Sequence, residues 1–421
     1  MKIGVKKAII SPEFPVDLAG FAAPDRKSAG IHDDISLSVM VIEHNGKRAA
    51  FVCADIIGFD LEIVKDLKSS IYHRFGYREE EVFFNASHTH SGPQTLTYML
   101  DLVGRADADY LAFLRNKLFS AFEDALNDLE EAELYTAVTK SDIGISRRLI
   151  SEGKVLFAPN KDGLIDDNVT VLKFCTGSRV KAVLFNYACH PSIAKTNNVS
   201  ADFPGYARKT IEDHFGKGIV AFFMQGCCGD IRARTMENGR FRPGTWNDVD
   251  SYGSLLGQNV IDACEGSMQK IEDINILTAI SRIHIPLQAI PPREYYEDAK
   301  QQNDPGKKEW AEKMLQNYEN LKNSRPFIIQ RISIGKKLVF IGMSGEVCSG
   351  YSLYARQAFS DGFLVAAAYT NGTEGYIPTE NMFKEGGYEP EDSYAYFSFP
   401  SKYGSSIEKI LTKEIKDILT L

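Results

Sequence analysis

The 421-residue sequence lacks several features that would assign it to a large class of proteins. No segment approaches the apolar length of a membrane span, and the first residues have no apolar core of the kind found in signal peptides. Seven cysteines, an odd number without regular spacing, do not form a disulfide framework. A net charge of −8 gives no basic excess for nucleic acid. We therefore expect a cytoplasmic enzyme without a membrane anchor or a nucleic-acid partner, and oligomeric state is left open.

What the sequence does contain is typical of a globular α/β protein. Apolar residues make up 44% and charged residues 25%, which is ordinary for a chain that buries a large core. Short runs rich in Val, Ile and Phe alternate with helix-period segments at 60–75, 107–128, 206–215, 251–269 and 404–420. Two runs joined by Gly335 and Lys336 predict a hairpin, so the sheet is not purely parallel. We expect one catalytic domain over 1–421, with a mixed β-sheet core (one sheet or two stacked sheets) flanked by helices.

The charged stretch 293–322 stands apart from this pattern because it has no apolar run. It predicts a solvated helical surface insertion, broken near Asp304, Pro305 and Gly306, with no part in the chemistry.

Four of the predicted strands run directly into polar, glycine- or proline-containing turns. The turns are SHTHSGP (87–93), CHP (189–191), SGE (344–346) and NGTEGY (371–376). In open α/β sheets ligands bind beyond the strand ends, where loops converge while the sheet holds them rigid. Three turns carry a residue that can bind a borderline metal and the fourth offers a tyrosine, so we expect one shared site.

Histidine is scarce, yet His88, His90 and His190 occupy two of these turns among only eight histidines in the chain. Zinc prefers imidazole nitrogens with carboxylate or other oxygen ligands, and a catalytic zinc keeps one position for water. A His-x-His pattern alone is a weak signal, because most loop histidines are surface or hydrogen-bonded residues. Three others lie on helix or strand patterns and are interpreted as structural or surface residues: His73, His214 and His284.

Several motifs in order resemble the neutral (alkaline, non-lysosomal) ceramidase family. They are NASHTHSGP (85–93), NYACHP (186–191), SADFPGY (200–206), QG (225–226) with GD (229–230), GE (345–346), GY (375–376) and GY (387–388). The resemblance runs from the opening LAGF and IHDDISL segments to about residue 390. Several motifs in the same order are far more specific than any one of them.

The resemblance implies one zinc ion per chain, bound by His88, His190, Glu346 and Tyr376. A zinc-bound water would attack the carbonyl of an N-acyl amide, as in sphingolipid metabolism. From the residues alone, Glu346 is equally well a helix-start residue, and Tyr376 is not preferred over other tyrosines.

The resemblance also assigns roles around the metal. His90 and Tyr388 would face the substrate carbonyl and its oxyanion, and His90 would deliver a proton to the leaving amine. Arg147 would contact the substrate, with Arg148 as the alternative.

Two aspartates are candidates for orienting the ligand imidazoles. Asp202 precedes a predicted helix and is better explained as its cap, and Asp230 follows a glycine and is equally well a turn residue.

Two departures from the family pattern affect the substrate prediction. Arg232 stands where the family has a serine. With Arg234 it either reaches an anionic substrate group, which we favour, or belongs to a solvated turn. After residue 400 only one amphipathic helix is predicted, so we expect no C-terminal β-sandwich. A smaller N-acyl compound or an ester is therefore as plausible as ceramide.

Two other functions stay open at this stage. Cys227 or Cys228 could serve a cysteine-dependent hydrolase or acyltransferase, although paired cysteines after an apolar strand are usually buried. A relative that binds a ligand without catalysis is the other alternative.

Overall fold

The computed structural model describes residues 1–23 and 26–421. Its helices are α1 (Leu61–Phe75), α2 (Ala108–Asn127), α3 (Asp202–Phe215), α4 (Trp246–Glu265), α5 (Arg293–Lys300), α6 (Pro305–Gln316), α7 (Ser349–Ala358), α8 (Glu380–Glu385), α9 (Tyr388–Glu391) and α10 (Ile407–Leu419). Its strands are β1 (Lys2–Ile9), β2 (Gly30–Ile31), β3 (Ser36–His44), β4 (Lys47–Ala54), β5 (Val82–Ala86), β6 (Glu130–Glu131), β7 (Glu133–Lys140), β8 (Gly144–Ser151), β9 (Lys154–Asn160), β10 (Asn168–Thr176), β11 (Arg179–Tyr187), β12 (Asn198–Val199), β13 (Val220–Gln225), β14 (Ile231–Ala233), β15 (Met236–Glu237), β16 (Arg240–Phe241), β17 (Gln269–Lys270), β18 (Ile276–Pro286), β19 (Ser324–Ile334), β20 (Leu338–Met343), β21 (Glu346–Val347), β22 (Phe363–Ala367) and β23 (Tyr376–Ile377).

Three larger sheets form the centre of the fold. Their strand orders are β5-β4-β3-β1-β6, β13-β11-β10-β7-β17 and β18-β19-β20-β22. Each is mixed: β3 pairs antiparallel with β4, whereas β4–β5, β11–β13 and β20–β22 are parallel. β19 and β20 form the predicted antiparallel hairpin. The predicted mixed α/β core flanked by helices is therefore confirmed, divided among several sheets.

Strand β4 shows how the core is divided. Its side chains are buried on both faces, and their period of two sends alternate residues to opposite sides. Phe51 and Cys53 join an apolar cluster with Leu172 of the second sheet and Phe340 of the third. Val52 points instead into the cluster beneath α1 and α2. The three sheets therefore share one inner core, and the helices cover their outer faces.

The five predicted helix-period segments correspond to α1, α2, α3, α4 and α10, whereas α7, α8 and α9 lie outside them. Asp60 accepts a hydrogen bond from the backbone N–H of Glu62 and caps α1, which ends at Gly76 with φ of 75°. Helix α2 packs on β1 and β3, α3 and α4 cover the second sheet, and α7 and α10 cover the third. Among the described residues, no helix is both long enough and apolar enough to cross a membrane.

Residues 293–322 form α5 and α6 as predicted, with Asp304 capping α6. The pair is not simply solvated, because Tyr296 and Trp310 are buried in a cluster with Leu100. The Trp310 indole donates to the carbonyl oxygen of Phe399 at 2.7 Å. Scattered aromatic residues supply this packing, which a search for apolar runs does not detect. The pair also holds the segment that carries Tyr396 and Phe397.

A buried ion pair joins the outer layers of the first two sheets. Asp55, at the end of β4, accepts hydrogen bonds from both terminal nitrogens of Arg208 on α3, at 2.8 and 2.6 Å. The backbone N–H of Ser36 donates to the same carboxylate at 2.8 Å. Asp55 is fully buried and Arg208 nearly so.

Removing one partner would leave the other charge buried and unpaired. We expect Asp55→Ala to lower the free energy of unfolding by about 3–5 kcal/mol in chemical denaturation. Arg179→Ala, which breaks the exposed pair with Glu130, should cost less than about 1 kcal/mol. Equal losses in the two variants would contradict a structural role for the buried pair.

Candidate metal centre

The four polar turns that follow strands converge in the folded chain. His88 follows β5, His190 follows β11 and Glu346 follows β20. Tyr376 reaches the same place through a short parallel pairing of β21 with β23, in which Glu346 lies opposite Tyr376. The arrangement predicted from the strand ends is thus present in the structure.

Buried side-chain amides connect these turns. The amide nitrogen of Gln225 donates to the carbonyl oxygens of Ser87 at 2.8 Å and Cys189 at 2.9 Å, the residues directly before His88 and His190. Asn85 accepts from the Gln225 backbone N–H at 2.8 Å. Asn85 also donates to the carbonyl oxygen of Ala368 on the third sheet. One fully buried glutamine therefore fixes the spacing of both histidine turns.

The imidazoles of His88 and His190 are oriented by backbone carbonyls. Nδ1 of His88 lies 2.6 Å from the carbonyl oxygen of Ile57, and Nδ1 of His190 lies 2.7 Å from that of Cys228. Because a carbonyl only accepts, each Nδ1 carries the proton and each Nε2 presents a lone pair. His88 also adopts a left-handed backbone, with φ of 65°. Such strain in a non-glycine residue is typical of functional sites.

Both Nε2 atoms meet the Glu346 carboxylate. Nε2 of His88 and Nε2 of His190 each lie 3.2 Å from Oε2 of Glu346. The Tyr376 hydroxyl lies 3.5 Å from Nε2 of His190. All four residues are buried, with exposures of 6% or less.

The charge states at this centre follow from burial and proximity. Burial lowers the pKa of His190 to about 4, so this ring is neutral at pH 7. Burial and the Glu346 charge raise the pKa of Tyr376 well above its ordinary value, against the opposing effect of Arg147.

This donor set suits a cation. Two imidazole lone pairs and an ionised carboxylate face one another at 3.2 Å in a buried place, and acceptors repel at that distance unless a positive charge lies between them. Imidazole nitrogen with carboxylate oxygen is a ligand set that zinc accepts, and the Tyr376 hydroxyl lies beside it.

His90 lies beside this set and offers an alternative ligand. Its Nε2 is 3.2 Å from Nε2 of His88, and one nitrogen from each of His88, His90 and His190 lies within 4.8 Å of the others. Within residues 1–23 and 26–421, its buried Nδ1 has no hydrogen-bond partner. Gly20 of the LAGF segment packs against the ring, since a Cβ there would lie 2.4 Å from Cγ of His90.

A cavity of about 250 Å³ opens onto the centre. His88, His90, Glu346, Tyr376 and Tyr388 form its polar end. Its remaining wall is mainly apolar and includes Leu96, Met99, Val103 and Phe397. The cavity can therefore hold an apolar chain with its polar end at the centre.

Arg147 and Arg148 both pair with the Glu389 carboxylate but otherwise have different partners. The Arg147 guanidinium carbon lies 5.3 Å from the Tyr376 ring centroid and 5.8 Å from that of Tyr388. Arg148 instead pairs with Glu385 and donates to the carbonyl oxygen of Gly386. Arg147 is thus the arginine beside the centre, and Arg148 holds the segment before Tyr388.

The two aspartates considered as orienting groups do not contact the ligand rings. Asp202 accepts from the backbone N–H groups of Ile193 at 2.9 Å and Phe203 at 2.7 Å. Asp230 accepts from Ser349 and caps α7. Backbone carbonyls take the orienting role, and a sequence does not reveal where those carbonyls point.

Comparison with known proteins shows which family the chain belongs to. The family model described as neutral/alkaline non-lysosomal ceramidase, N-terminal, matches residues 1–244. The chain belongs to this family. It is 28% identical to neutral ceramidase B of Dictyostelium discoideum over 246 residues, covering 52% of this chain and 33% of that protein. It is 26% identical to the neutral ceramidase of Pseudomonas aeruginosa over 293 residues, covering 65% of this chain and 43% of that protein.

The crystal structure of neutral ceramidase from Pseudomonas aeruginosa has the same fold. It superimposes with a TM-score of 0.79 at 18% identity, over 99% of this chain and 74% of that one. A ceramidase complexed with C2 matches with the same TM-score at 16% identity. The matched segments of this ceramidase-family chain cover less than half the length of these curated relatives.

Sequence reasoning gave no role to three residues of this ceramidase-family site. Gln225 was part of a motif, but its bridge between two turns is visible only in the fold. The Tyr369 hydroxyl donates to Glu346 at 3.2 Å, and its ring stacks on His88 at 4.2 Å. Glu389 accepts from Nε of Arg147 at 2.9 Å, and its position next to Tyr388 was the available signal.

Gln225 offers a test of how the metal ligands are positioned. We expect Gln225→Leu to weaken divalent-metal binding by about 10- to 100-fold, because the two histidine turns lose their common donor. Calorimetric titration of the metal-free protein measures this loss.

Gln330→Leu is the matched control. Gln330 is also fully buried and its amide also donates to two carbonyl oxygens, those of Glu80 and Val82, away from the histidines. Its replacement should lower stability but leave metal affinity within about twofold, because only Gln225 joins the two turns. Equal weakening in both variants would mean that general destabilisation, and not positioning, controls metal binding.

Proposed function

We propose that this chain is a zinc-dependent amidohydrolase that cleaves a ceramide-like or smaller N-acyl amide. The main support for this proposal is the buried arrangement of His88, His190 and Glu346. Both Nε2 atoms direct lone pairs at Oε2 of Glu346 from 3.2 Å. Family membership and relatives named neutral ceramidase support amide hydrolysis as the reaction.

We assign one zinc ion to His88, His190, Glu346 and Tyr376. The two rings present Nε2 because their Nδ1 atoms donate to carbonyls, and Glu346 and Tyr376 lie opposite each other on β21 and β23. When bound, zinc supplies Lewis acidity, which polarises a carbonyl and acidifies water.

His90 is suited to move the proton. Burial, followed by the nearby His88 and His190, lowers its pKa well below the ordinary value, so the ring is neutral at pH 7. Its Nδ1 is unpartnered in the described part of the chain and is the free acceptor. Returning that proton to the leaving nitrogen completes the hydrolysis.

Tyr388 and Arg147 are suited to stabilise negative charge on the carbonyl oxygen. Burial raises the pKa of Tyr388, so its hydroxyl keeps the proton that a hydrogen bond to an oxyanion needs. Arg147 stays charged beside Tyr376 and Tyr388. One well-placed donor contributes about 3 kcal/mol to such a transition state.

The size of the cavity bears on the substrate. About 250 Å³ is slightly below the usual volume of small-molecule sites, which is about 300–1,000 Å³. A single acyl chain of moderate length fits this volume better than a lipid with two long chains. We therefore favour a single-chain N-acyl amine over ceramide itself.

The cysteine-dependent alternative finds no support in the site. Cys227 and Cys228 are fully buried, and burial raises the pKa of both thiols well above the ordinary value. A nucleophilic cysteine needs the opposite shift.

Elemental analysis tests the metal requirement. We expect purified protein to hold about one zinc per chain, and chelation to abolish hydrolysis of N-acyl amides until zinc is restored. Thiol alkylation should have no effect. Activity that survives chelation but is lost on alkylation would contradict the zinc mechanism.

Replacement of His88 and of His90, the two histidines of the turn at 87–93, should have different effects. His88→Ala should lose both zinc and activity, whereas His90→Ala should keep zinc and lose about 100-fold or more in kcat, because proton transfer contributes on that scale. Loss of zinc in both variants would indicate a three-histidine ligand set instead.

A further inference from the structure

Arg147 and Arg232 lie close together on a small sheet. Strands β14, β8 and β9 pair in that order, and Arg232 lies opposite Ile145. Arg147 is two residues after Ile145, where the pairing of β8 with β9 shifts register between Ser146 and Arg148. Both guanidinium carbons lie 5.5 Å from the centroid of the Phe157 ring.

The positive charge of this pair is only partly compensated. Arg147 pairs with Glu389 through Nε, but its buried Nη2 has no hydrogen-bond partner in the described chain. Arg232 makes no ion pair with any residue in 1–23 or 26–421, and its buried Nε is also unpartnered there. Cation–π contacts with Phe157 and Phe241 stabilise the charge of Arg232 weakly. They provide no hydrogen-bond acceptor for its N–H groups. A buried polar group without a hydrogen-bond partner lowers the stability of the fold, and a bound ligand can provide the missing partner.

The two arginines lie near residues that line the apolar cavity. No lysine or arginine of the described chain lines the cavity itself. Arg147 stacks against Tyr376 and Tyr388, which line its polar end, and the backbone of Arg232 bridges to His190. A substrate with its acyl chain in the cavity and its amide at the centre would direct its amine portion towards the two arginines.

We infer that the substrate is an N-acyl amino acid, whose carboxylate binds Arg147 and Arg232 while its acyl chain fills the apolar cavity. This inference rests on the proposed amide hydrolysis. Water would add its hydroxyl to the acyl carbon and its other proton to the nitrogen, and the C–N bond would break. The products are a fatty acid and a free amino acid.

The test compares N-octanoylglycine with N-octanoylglycinamide, which differ in charge but hardly in shape. Zinc-loaded wild-type protein should cleave the acylglycine with a kcat/KM about 10- to 100-fold higher, because only the carboxylate accepts charge-assisted hydrogen bonds. Arg232→Gln should reduce this preference about 10-fold or more, and Arg232→Lys should restore part of it. Arg240→Gln, the same change at a neighbouring exposed arginine, should leave the preference unchanged.

A binding measurement tests the carboxylate site independently of the proposed amide hydrolysis. Metal-free protein should bind N-octanoylglycine more tightly than the glycinamide in calorimetry, and Arg232→Gln should remove the difference. If no amide is cleaved but this binding difference is seen, the proposed reaction fails and the carboxylate site stands. If wild-type protein cleaves both amides equally, and Arg232→Gln changes neither their relative cleavage nor their relative binding, the carboxylate site is wrong and amide hydrolysis stands. Circular dichroism confirms that each variant is folded.

Discussion

The site depends on one electrostatic constraint, which is that the lone pairs of two imidazoles and a carboxylate are held at 3.2 Å without water between them. Such an arrangement is unfavourable for the empty protein and has to be imposed by the surrounding structure. Carbonyl oxygens fix the ring protons on the far side of each histidine, and Gln225 fixes the separation of the two turns. The left-handed backbone of His88 is part of the same constraint. The buried core shared by three sheets supplies the rigidity that holds these groups together.

Much of this site follows from the sequence because a strand end is a local signal. His88, His190 and Glu346 each come two or three residues after an apolar strand, so convergence of those strands brings the side chains together. Tyr376 lies nine residues after β22, and only the resemblance to a family selected it. Helix periods located α1 and α2 within about a residue, since amphipathic spacing is read directly from the chain.

Other features depend on contacts between distant segments and leave little local trace. The hairpin of β8 and β9, whose apolar run at 155–158 is short, is not among the strands predicted from the sequence, yet the hairpin carries Arg147 and Phe157. The groups that orient the histidines are backbone carbonyls, which every residue possesses, so aspartates were the natural but wrong candidates. Burial of Tyr296 and Trp310 likewise arises from tertiary packing of scattered aromatics. Division of the core into several sheets depends on pairings such as β1 with β3, which bring together residues far apart in sequence.

The central claim is that this geometry is a zinc centre with four specific ligands. Diffraction from crystals of zinc-loaded protein, recorded on both sides of the zinc absorption edge, locates the metal directly. We predict one anomalous peak per chain, bonded to Nε2 of His88, Nε2 of His190, the Glu346 carboxylate and the Tyr376 oxygen, with His90 outside bonding distance. A peak bonded to all three histidines, or no peak at this position, would contradict the account.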